Sequence, residues 1–437
     1  MRIANEATQL VAASDPKPLD RDWLRAIALE AGADDVGFVS VDRDEIATER
    51  EHIFKAFPEA RTLISIVTRL NVDSLRSPQR SIGNLEFHRN YHHVNEVAAA
   101  IVCKLARHKI RALNPSAAFP MEMDNYPGRI WVIAHKPVAI AAGLGQMGIH
   151  RNVIHPQFGS FINISTVLVA AEIGLESQPI EFNPCFQCKL CIAACPVGAI
   201  APDGYFNFSA CFTHNYREFM GGFTDWVETI ADSGGARALR RKVTDAEQSS
   251  MWQSLSFGAN YKAAYCLAVC PAGTDLISTY TADKSAYVKN VVEPLSGKEE
   301  PVYVVSGSDA EDYAQRRFPH KQLRRVGGGL RPRTIKGLLE GMPLVFQRGK
   351  AKALNASFHF TFTGREARKA TISIRDRKLT IIDGHVGKAE MSVTTDATAW
   401  LEFLYKERSL PRMLLTRKLR IKGRPTLLLA FGKCFAV

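Results

Sequence analysis

The spacing of the cysteines is the feature that most constrains this 437-residue chain. Six of them form two runs that both end in Cys-Pro, namely Cys185-x-x-Cys188-x-x-Cys191-x-x-x-Cys195-Pro196 and Cys266-x-x-x-Cys270-Pro271. Two-residue gaps let three thiolates bind one iron–sulfur cube, while the cysteine before the proline binds a second cube. The spacing therefore predicts a ferredoxin-type module with two clusters.

The same pattern divides the cysteines between the two clusters. The swapped arrangement gives the first [4Fe–4S] cluster four thiolates, from Cys185, Cys188, Cys191 and Cys270. It leaves three for the second cluster, from Cys195, Cys211 and Cys266. Ala263 occupies the position where a complete motif would have a fourth cysteine. The second cluster is then [3Fe–4S], or an oxygen or nitrogen atom completes it, and Tyr261 and Tyr265 are near in sequence.

Other uses of the cysteines fit less well. A disulfide framework is disfavoured because no secretory segment is evident, and a zinc site would use four ligands and leave three cysteines over. Alternatively, Cys211 binds no cluster and is simply a buried thiol. The outlying Cys103 and Cys434 stand in apolar segments, and we expect both in the core.

Charge is distributed unevenly along the chain. From Lys321 to the end there are 25 Lys and Arg against 8 Asp and Glu, whereas the first 320 residues carry 31 against 36. This asymmetry indicates an acidic partner such as an anionic membrane surface, and its alternative is a solvated basic face. No apolar run has the length of a membrane span and no signal core is present, so we expect a cytoplasmic protein.

Before the cysteines, helical and extended patterns alternate. Residues 20–45 read as a helix and then a strand, residues 63–67, 130–134 and 161–171 as strands, and residues 93–111 as a helix. Such alternation predicts an α/β or α+β layer.

Between that layer and the cysteines lies a glycine-rich segment. Gly143, Gly145, Gly148 and Gly159 allow a close backbone approach or a positive φ. The G-x-G-x-x-G spacing follows a helix-like segment rather than a strand, so it is not a dinucleotide-binding fingerprint.

After Cys270 the composition changes, and the triple glycine 327–329 predicts a domain boundary. Beyond it, four segments read as strands of a meander, at residues 356–362, 371–374, 379–382 and 389–393. Asp396 is placed to cap a helix that carries Trp400. Residues 413–415 and 427–429 read as further helical segments.

Residues from about 20 to 275 resemble the epoxyqueuosine reductase and reductive dehalogenase superfamily. The resemblance is carried by the ferredoxin block and by residues 90–92 (NYH), 142–148 (AGLGQMG), 158–160 (FGS) and 210–212 (ACF). It implies an α/β/α layer that holds cobalamin, with an inserted bacterial-ferredoxin module that supplies electrons. It also implies that Gly143, Gly145, Gly148, Gly159 and Ser160 lie against the corrin ring.

The chain departs from that superfamily at two places. Epoxyqueuosine reductases have an acidic proton donor three residues before a proline, and here that position, before Pro137, is Ala134. Their tRNA-reading helical repeats are absent, so a nucleic acid partner is not expected. Tyr126, His135 and Lys136 are positional candidates for a catalytic acid.

Residues from about 335 to 437 resemble the sterol carrier protein type 2 family. The resemblance is carried by residues 378–384 (KLTIIDG), 389–394 (AEMSVT), 400–401 (WL) and 418–423 (KLRIKG). It implies a curved sheet under helices that encloses an apolar tunnel for a lipid. Six side chains are candidates to line it or simply to fill a core, namely Phe358, Phe360, Trp400, Phe403, Leu404 and Met413.

Together these observations predict an α+β protein of three parts: a corrinoid-type domain (1–178), an iron–sulfur module with a linker (179–330) and a lipid-carrier domain (331–437). We expect an oxidoreductase with two iron–sulfur clusters and cobalamin that acts on a hydrophobic or lipid-like substrate. Its electrons would come from a ferredoxin, a flavodoxin or a reductase. The alternative is an electron-transfer protein whose last domain binds a lipid or a docking partner.

Overall fold

The computed structural model describes residues 18–118, 122, 129, 131–185 and 188–436. Within these residues, no helix combines the length and the apolar character that crossing a lipid bilayer requires.

The chain begins with a layered region of helices and strands. Its elements are α1 (Arg21–Glu30), β1 (Asp35–Ser40), a 3₁₀ turn (Asp44–Ile46), α2 (Ala47–Ala56), β2 (Thr62–Arg69), α3 (Val72–Arg76), α4 (Arg80–Arg107), β3 (Ala112–Leu113), α5 (His135–Ala141), β4 (Gln146–Met147), β5 (Val153–Ile154) and β6 (Ile162–Val169). Four strands form an antiparallel sheet in the order β1-β2-β6-β3, and β4 and β5 form a separate hairpin.

Alternation along the strands places helices on both faces of this sheet. Ile64 and Ile66 of β2 pack with α1 and α4, whereas Leu63 and Val67 pack with α5 and the 3₁₀ turn. Successive side chains of a strand point to opposite faces, so one buried strand supplies both cores. The predicted layer is therefore present, with the glycine-rich segment following α5.

Two predictions for this region are wrong. The described part of the segment 130–134 is no strand, because α5 begins at His135 and Ile133 enters the core without a sheet partner. Cys103 is exposed rather than buried. The buried face of α4 carries Ile101 and Leu105, and a residue two positions from Ile101 lies on the opposite side of a 3.6-residue helix.

The cysteine region is built from short helices. Its elements are α6 (Leu190–Ala194), α7 (Phe208–Asn215), α8 (Gly221–Ala231), α9 (Ala236–Lys242), α10 (Asp245–Phe257), α11 (Tyr265–Ala268), α12 (Ile277–Ala282), α13 (Lys284–Tyr287), a π-helical turn (Val288–Val292), α14 (Glu293–Ser296), β7 (Pro301–Val304), α15 (Asp309–Arg317) and β8 (Gln322–Arg325). The stretch expected to be a linker contains a parallel pair, β7 and β8, joined by α15.

The last region is a five-stranded sheet covered by helices. Its elements are α16 (Ile335–Val345), a 3₁₀ turn (Lys350–Ala353), β9 (Ala356–Thr363), β10 (Arg368–Arg375), β11 (Lys378–Asp383), β12 (Met391–Asp396), α17 (Ala397–Leu404), α18 (Leu410–Leu415), β13 (Leu419–Gly423) and α19 (Pro425–Lys433). The strand order is β11-β10-β9-β12-β13. The meander prediction is correct for β9 to β11, but β12 returns to pair with β9 in parallel.

Aromatic rings fill the space between this sheet and its helices. Phe360 contacts Trp400 and Phe431, with ring centroids 5.6 and 5.5 Å apart, and Phe358 contacts Phe431 at 4.7 Å. The predicted tunnel residues thus pack on one another, as in the core-filling alternative. Asp396 caps α17 by accepting the backbone N–H of Ala399, as predicted.

The last region is anchored to the cysteine region. The hydroxyl of Tyr205 donates to the carbonyl of Phe346 at 3.0 Å, and the amide of Gln347 donates to Ser209 at 3.2 Å. The carboxylate of Asp309 accepts the backbone N–H of Gly349. These hydrogen bonds join the start of the C-terminal sheet region to the helices that carry the cysteines.

Candidate iron–sulfur site

All nine cysteines lie in the described residues, and all are free thiols. Cys191, Cys195 and Cys270 are buried, while four more of the seven clustered ones are partly exposed, namely Cys185, Cys188, Cys211 and Cys266. These three thiols lie on or next to the short helices α6 and α11, and each of these helices is followed by a Cys-Pro pair. Cys434, after α19, is also buried, as predicted.

One group of thiols gathers around Cys270. Burial raises the pKa of Cys270 to about 11, and the thiols of Cys188 and Cys185 act in the same direction. Burial also raises the pKa of Cys191, where the charged neighbours are Cys266, Cys270, Cys188 and Cys185. These four cysteines are thus neighbours, but the first thiol neighbour of Cys191 is Cys266, which the swapped pattern assigns to the other cluster. The division into two clusters stays a prediction.

A second group gathers around Cys266. Burial raises the pKa of Cys266 to about 12, and Cys195 is its strongest thiol neighbour. Burial raises the pKa of Cys211 as well, with Cys266 and Cys195 adding to the effect. These are the three thiols that the pattern leaves for the second cluster, and Cys266 also lies near members of the first group.

Hydrogen-bond donors point at several of the sulfur atoms. The backbone N–H of Ala199 donates to Sγ of Cys195 at 3.3 Å, and that of Ile149 donates to Sγ of Cys185 at 3.4 Å. The hydroxyl of Ser160, near Cys270, donates instead to the carbonyl of Leu267 at 2.9 Å. Backbone donors to sulfur stabilise thiolates and set cluster potentials.

A single metal ion and an iron–sulfur cube require different spacings of their ligands. Among the described residues, no three or more His, Cys, Asp or Glu side chains are arranged around a point that one ion would occupy. A zinc ion holds its sulfurs at about 2.3 Å, so they crowd together. In a cube each thiolate binds a different iron, and the sulfurs stay further apart.

Neither tyrosine named for the missing ligand is directed at the thiols. The hydroxyl of Tyr265 donates to the carboxylate of Glu300 at 2.8 Å and accepts from Lys298 at 3.2 Å. The ring of Tyr261 packs on Phe87 and Phe219, with centroids 5.2 and 5.4 Å apart. The prediction that one of them completes the second cluster has no support in this geometry.

Tyr216, which the sequence analysis missed, lies closer to the second group. Burial raises its pKa, and its charged neighbours are Tyr261 and the thiols of Cys211 and Cys266. It follows α7, the helix that carries Cys211, at a spacing of five residues. No metal-binding motif contains that spacing, so no sequence pattern points to Tyr216.

The structure describes two of the three candidate catalytic acids, His135 and Lys136. Tyr126 lies outside the described residues. His135 is buried, and its ring nitrogens hydrogen-bond to Thr166 Oγ1 at 2.9 Å and to the carbonyl of Ser116 at 3.1 Å. With both nitrogens engaged, His135 has the contacts of a structural histidine. Burial lowers its pKa, which disfavours the charged form.

Lys136 has the contacts of a residue near the clusters. Its ammonium donates to the carbonyl of Arg151 at 2.6 Å and to Oδ1 of Asn152 at 3.2 Å. Burial lowers the pKa of Lys136, and the thiols of Cys266 and Cys211 act in the opposite direction. The tip of the β4–β5 hairpin therefore holds this lysine beside the second thiol group.

The glycines predicted to face a corrin ring are required by the packing of the chain itself. A Cβ atom on Gly143, Gly145 or Gly159 would overlap a carbonyl oxygen of the same chain, that of Gln178, Ile154 and Ala272 respectively. At Gly148 it would meet the side chain of Ile154 at 2.7 Å. Their absence of side chains therefore offers no open surface to a ligand, and a corrin contact stays a prediction without support from these positions.

A buried charged cluster beside α11 was also missed. Glu218 is buried and pairs with Arg80 at 3.1 Å and with Lys262, while Ser250 donates to its carboxylate. Burial raises the pKa of Glu218, but the two cations outweigh that effect and lower it overall. These residues are far apart in sequence, which is why no motif revealed them.

Comparison with known proteins separates the chain into two parts. Residues 344–436 match the SCP-2 sterol transfer family. The epoxyqueuosine reductase of Aliivibrio fischeri is 25% identical over 203 residues, covering 43% of this chain and 49% of the relative. That of Escherichia coli is 28% identical over 134 residues, covering 29% of this chain and 34% of the relative. This chain joins an epoxyqueuosine-reductase-like region to an SCP-2 domain.

The reductase-like region spans about half the length of the curated relatives it matches. Among solved structures, it is similar to an epoxyqueuosine reductase in complex with a tRNA stem loop, with 19% identity, a TM-score of 0.34, and coverage of 46% of this chain and 57% of the other. A catabolic reductive dehalogenase in complex with 3-bromo-4-hydroxybenzoic acid has 14% identity and a TM-score of 0.38, with 68% and 37% covered.

Proposed function

We propose that this protein is an iron–sulfur oxidoreductase that carries cobalamin as a second cofactor and reduces a hydrophobic substrate. The clusters would be held by Cys185, Cys188, Cys191 and Cys270, and by Cys195, Cys211 and Cys266. The observation that supports the proposal is that all seven cysteines lie close enough to influence one another's thiols, with Cys266 a neighbour of both Cys191 and Cys211. Neighbouring iron–sulfur clusters transfer one electron at a time, and a reductase needs such electron transfer.

Cobalamin enters the proposal through the relatives rather than through the glycine turn. The solved neighbours include a reductive dehalogenase whose mechanism is described as B12-dependent. When bound, this cofactor would supply a low-potential metal centre for reductive bond cleavage. Gly143, Gly145, Gly148 and Gly159 pack against the chain itself, so the corrin ring would lie against other residues.

The hydrophobic substrate is inferred from the SCP-2 domain. Its interior is made of aromatic and aliphatic side chains, which suits an acyl chain or a sterol. Because Phe360 packs on Trp400 and Phe431, and Phe358 also packs on Phe431, a lipid that enters between the sheet and its helices would have to separate these rings. The electron donor would be a ferredoxin, a flavodoxin or a reductase. One solved neighbour binds tRNA, so nucleic acid stays among the ligands to be tested.

The test is a cofactor analysis of the full chain, purified without oxygen and reconstituted with iron, sulfide and cobalamin. The proposal expects two clusters and about one cobalt per chain, with a base-off corrinoid spectrum. Clusters without cobalt would favour the alternative, an electron-transfer protein. Two observations favour that alternative. Ala134 stands where the relatives have an acidic residue, and Gly143, Gly145 and Gly148 pack against the chain itself.

The type of the second cluster is tested by one substitution. Ala263 is half-buried beside Cys266 and Cys211, and its backbone N–H donates to Asn215 at 2.9 Å. If three thiolates hold a three-iron centre, the oxidised protein shows its paramagnetic signal, and Ala263→Cys converts it toward a four-iron centre. Two ordinary [4Fe–4S] spectra in the unaltered protein would show that a non-cysteine ligand completes the cube.

A further inference from the structure

The tip of the β4–β5 hairpin holds a buried histidine with an unused donor. His150 is 4% exposed, and its Nδ1 accepts the backbone N–H of Asn152 at 3.2 Å. Its Nε2 has no hydrogen-bond partner among the described residues. Because a neutral imidazole has one acceptor and one donor, Nε2 carries the proton. Leaving such a donor unpaired costs about 1–3 kcal/mol, which favours an acceptor at this place.

Lys136, on α5, is a second donor at the same place. Two of its three N–H bonds go to Arg151 and Asn152, and no carboxylate of the described residues pairs with it. Its charge is a neighbour of His150 and of the thiols of Cys211 and Cys266. A partly buried ammonium ordinarily has a counter-charge, and here the thiolates are the anionic groups that face it.

The hairpin tip also contacts the first thiol group, through the hydrogen bond from Ile149 to Cys185. It therefore lies between both groups and is fixed by β4 and β5 on the layered region. Burial lowers the pKa of His150 to about 4, and the charge of Lys136 adds to this effect, so the ring stays neutral at neutral pH. A neutral ring is a donor through Nε2 and adds no charge of its own.

We propose that Lys136 Nζ and His150 Nε2 donate hydrogen bonds to the sulfur atoms of the cluster on Cys195, Cys211 and Cys266 and raise its reduction potential. The inference rests on the proposed function, because it requires that this cluster is present. Reduction adds one negative charge to the cluster, and nearby N–H donors and a cation stabilise the added charge. Lys136 is then a residue that tunes electron flow rather than a catalytic acid.

The test is a redox titration of the full chain with both clusters in place, followed by electron paramagnetic resonance. In Lys136→Met and His150→Phe we expect the potential of the second cluster to fall while that of the first stays unchanged. Lys136→Arg and His150→Gln keep a donor and should retain most of the original potential. Arg151→Met is the matched control, because it removes an exposed charge from the same hairpin, where solvent screens it.

Unchanged potentials in both variants, with full iron and sulfide content, would overturn the inference and leave the proposed function standing. A protein that assembles no clusters would overturn both. Labelling histidine with ¹⁵N adds a second readout, since a weak coupling to the second cluster is expected from a hydrogen bond. A strong coupling that disappears in His150→Phe would show that His150 binds iron directly, and the donor role would be wrong.

Discussion

The cysteine region and the SCP-2 domain bury different kinds of side chains between their short helices and strands. In the cysteine region the buried groups include thiols, a histidine with an unpaired nitrogen and a charged cluster around Glu218. In the SCP-2 domain they are rings and aliphatic chains that contact one another. One core contains polar and ionisable groups, some of them suited to binding a cofactor, and the other consists of apolar side chains that contact one another.

This difference predicts which region depends on its ligand. Buried thiols have raised pKa values, so without metal they stay protonated and contribute little beyond a small apolar side chain. The free energy of metal binding then contributes directly to the free energy of folding, as in other small metal-bound modules. The SCP-2 domain has enough apolar contact to fold without a ligand, and a lipid would have to compete with its own packing.

The largest expected effect comes from removing the clusters. Chelation under oxidising conditions should increase hydrogen exchange across α6, α7 and α11, because the cysteines on and beside these helices would lose the iron that links them. The helices and strands of residues 335–436 in the same molecule should keep their protection. Equal loss of protection in both regions would contradict the comparison, as would no change in either.

A substitution in the aromatic core tests the claim that the SCP-2 domain is stabilised by its own apolar packing. Phe360→Ala removes a fully buried ring that contacts Trp400 and Phe431, and it should cost about 3–5 kcal/mol of the free energy of unfolding of this domain. Iron content should not change. The control is Ile382→Ala on the exposed side of β11, which we expect to cost little. Denaturant unfolding followed by circular dichroism measures both.

Part of the difference between the two regions could be predicted from the sequence, and part could not. The strands β9 to β11 and the cap at Asp396 follow from local sequence patterns and are confirmed. The division of the cysteines between two clusters stays a prediction from their spacing. The nearness of Lys136 to Cys266, and of Tyr216 to Tyr261 and Cys266, joins segments 45 to 130 residues apart, and no local pattern encodes that. Cys103 shows a different failure, since an apolar neighbourhood does not say which side of a helix faces solvent.

Acid should destabilise the cysteine region through His214. Burial lowers the pKa of this histidine to about 3, with Lys262, Lys321 and Arg80 adding to the effect. An unfolded histidine takes up a proton below about pH 6.5, so the native state has its full advantage above that pH and loses it as the pH falls. Between pH 7 and pH 5 the loss should be about 2 kcal/mol. Neither histidine of the SCP-2 domain, His359 or His385, is buried.

Two measurements check this prediction. Unfolding curves at both pH values should show the loss in the unaltered protein and a smaller one in His214→Gln, which cannot be protonated. If the pH dependence is the same in both proteins, His214 does not cause it.

The smallest expected effect concerns the surface of the SCP-2 domain. Leu415, 86% exposed, and Leu414 lie at the end of α18 between Arg412 and Arg417. Such a tip should bind anionic vesicles more tightly than neutral ones, at about 1 kcal/mol per basic residue near the surface. Sedimentation with vesicles should show this preference and its loss at high salt. Leu415→Gln should weaken binding, and equal binding to neutral vesicles would contradict the electrostatic account.

The central claim, that the seven thiols hold two iron–sulfur clusters, is tested most directly by quantifying iron and acid-labile sulfide in anaerobically purified full-length protein. The account predicts seven to eight iron atoms per chain, as follows from a [4Fe–4S] cluster with either a three-iron or a four-iron partner. Replacing Cys191 by serine should remove about half of the iron, and replacing Cys211 should affect the other half. Stoichiometric zinc, or iron without sulfide, would contradict the claim.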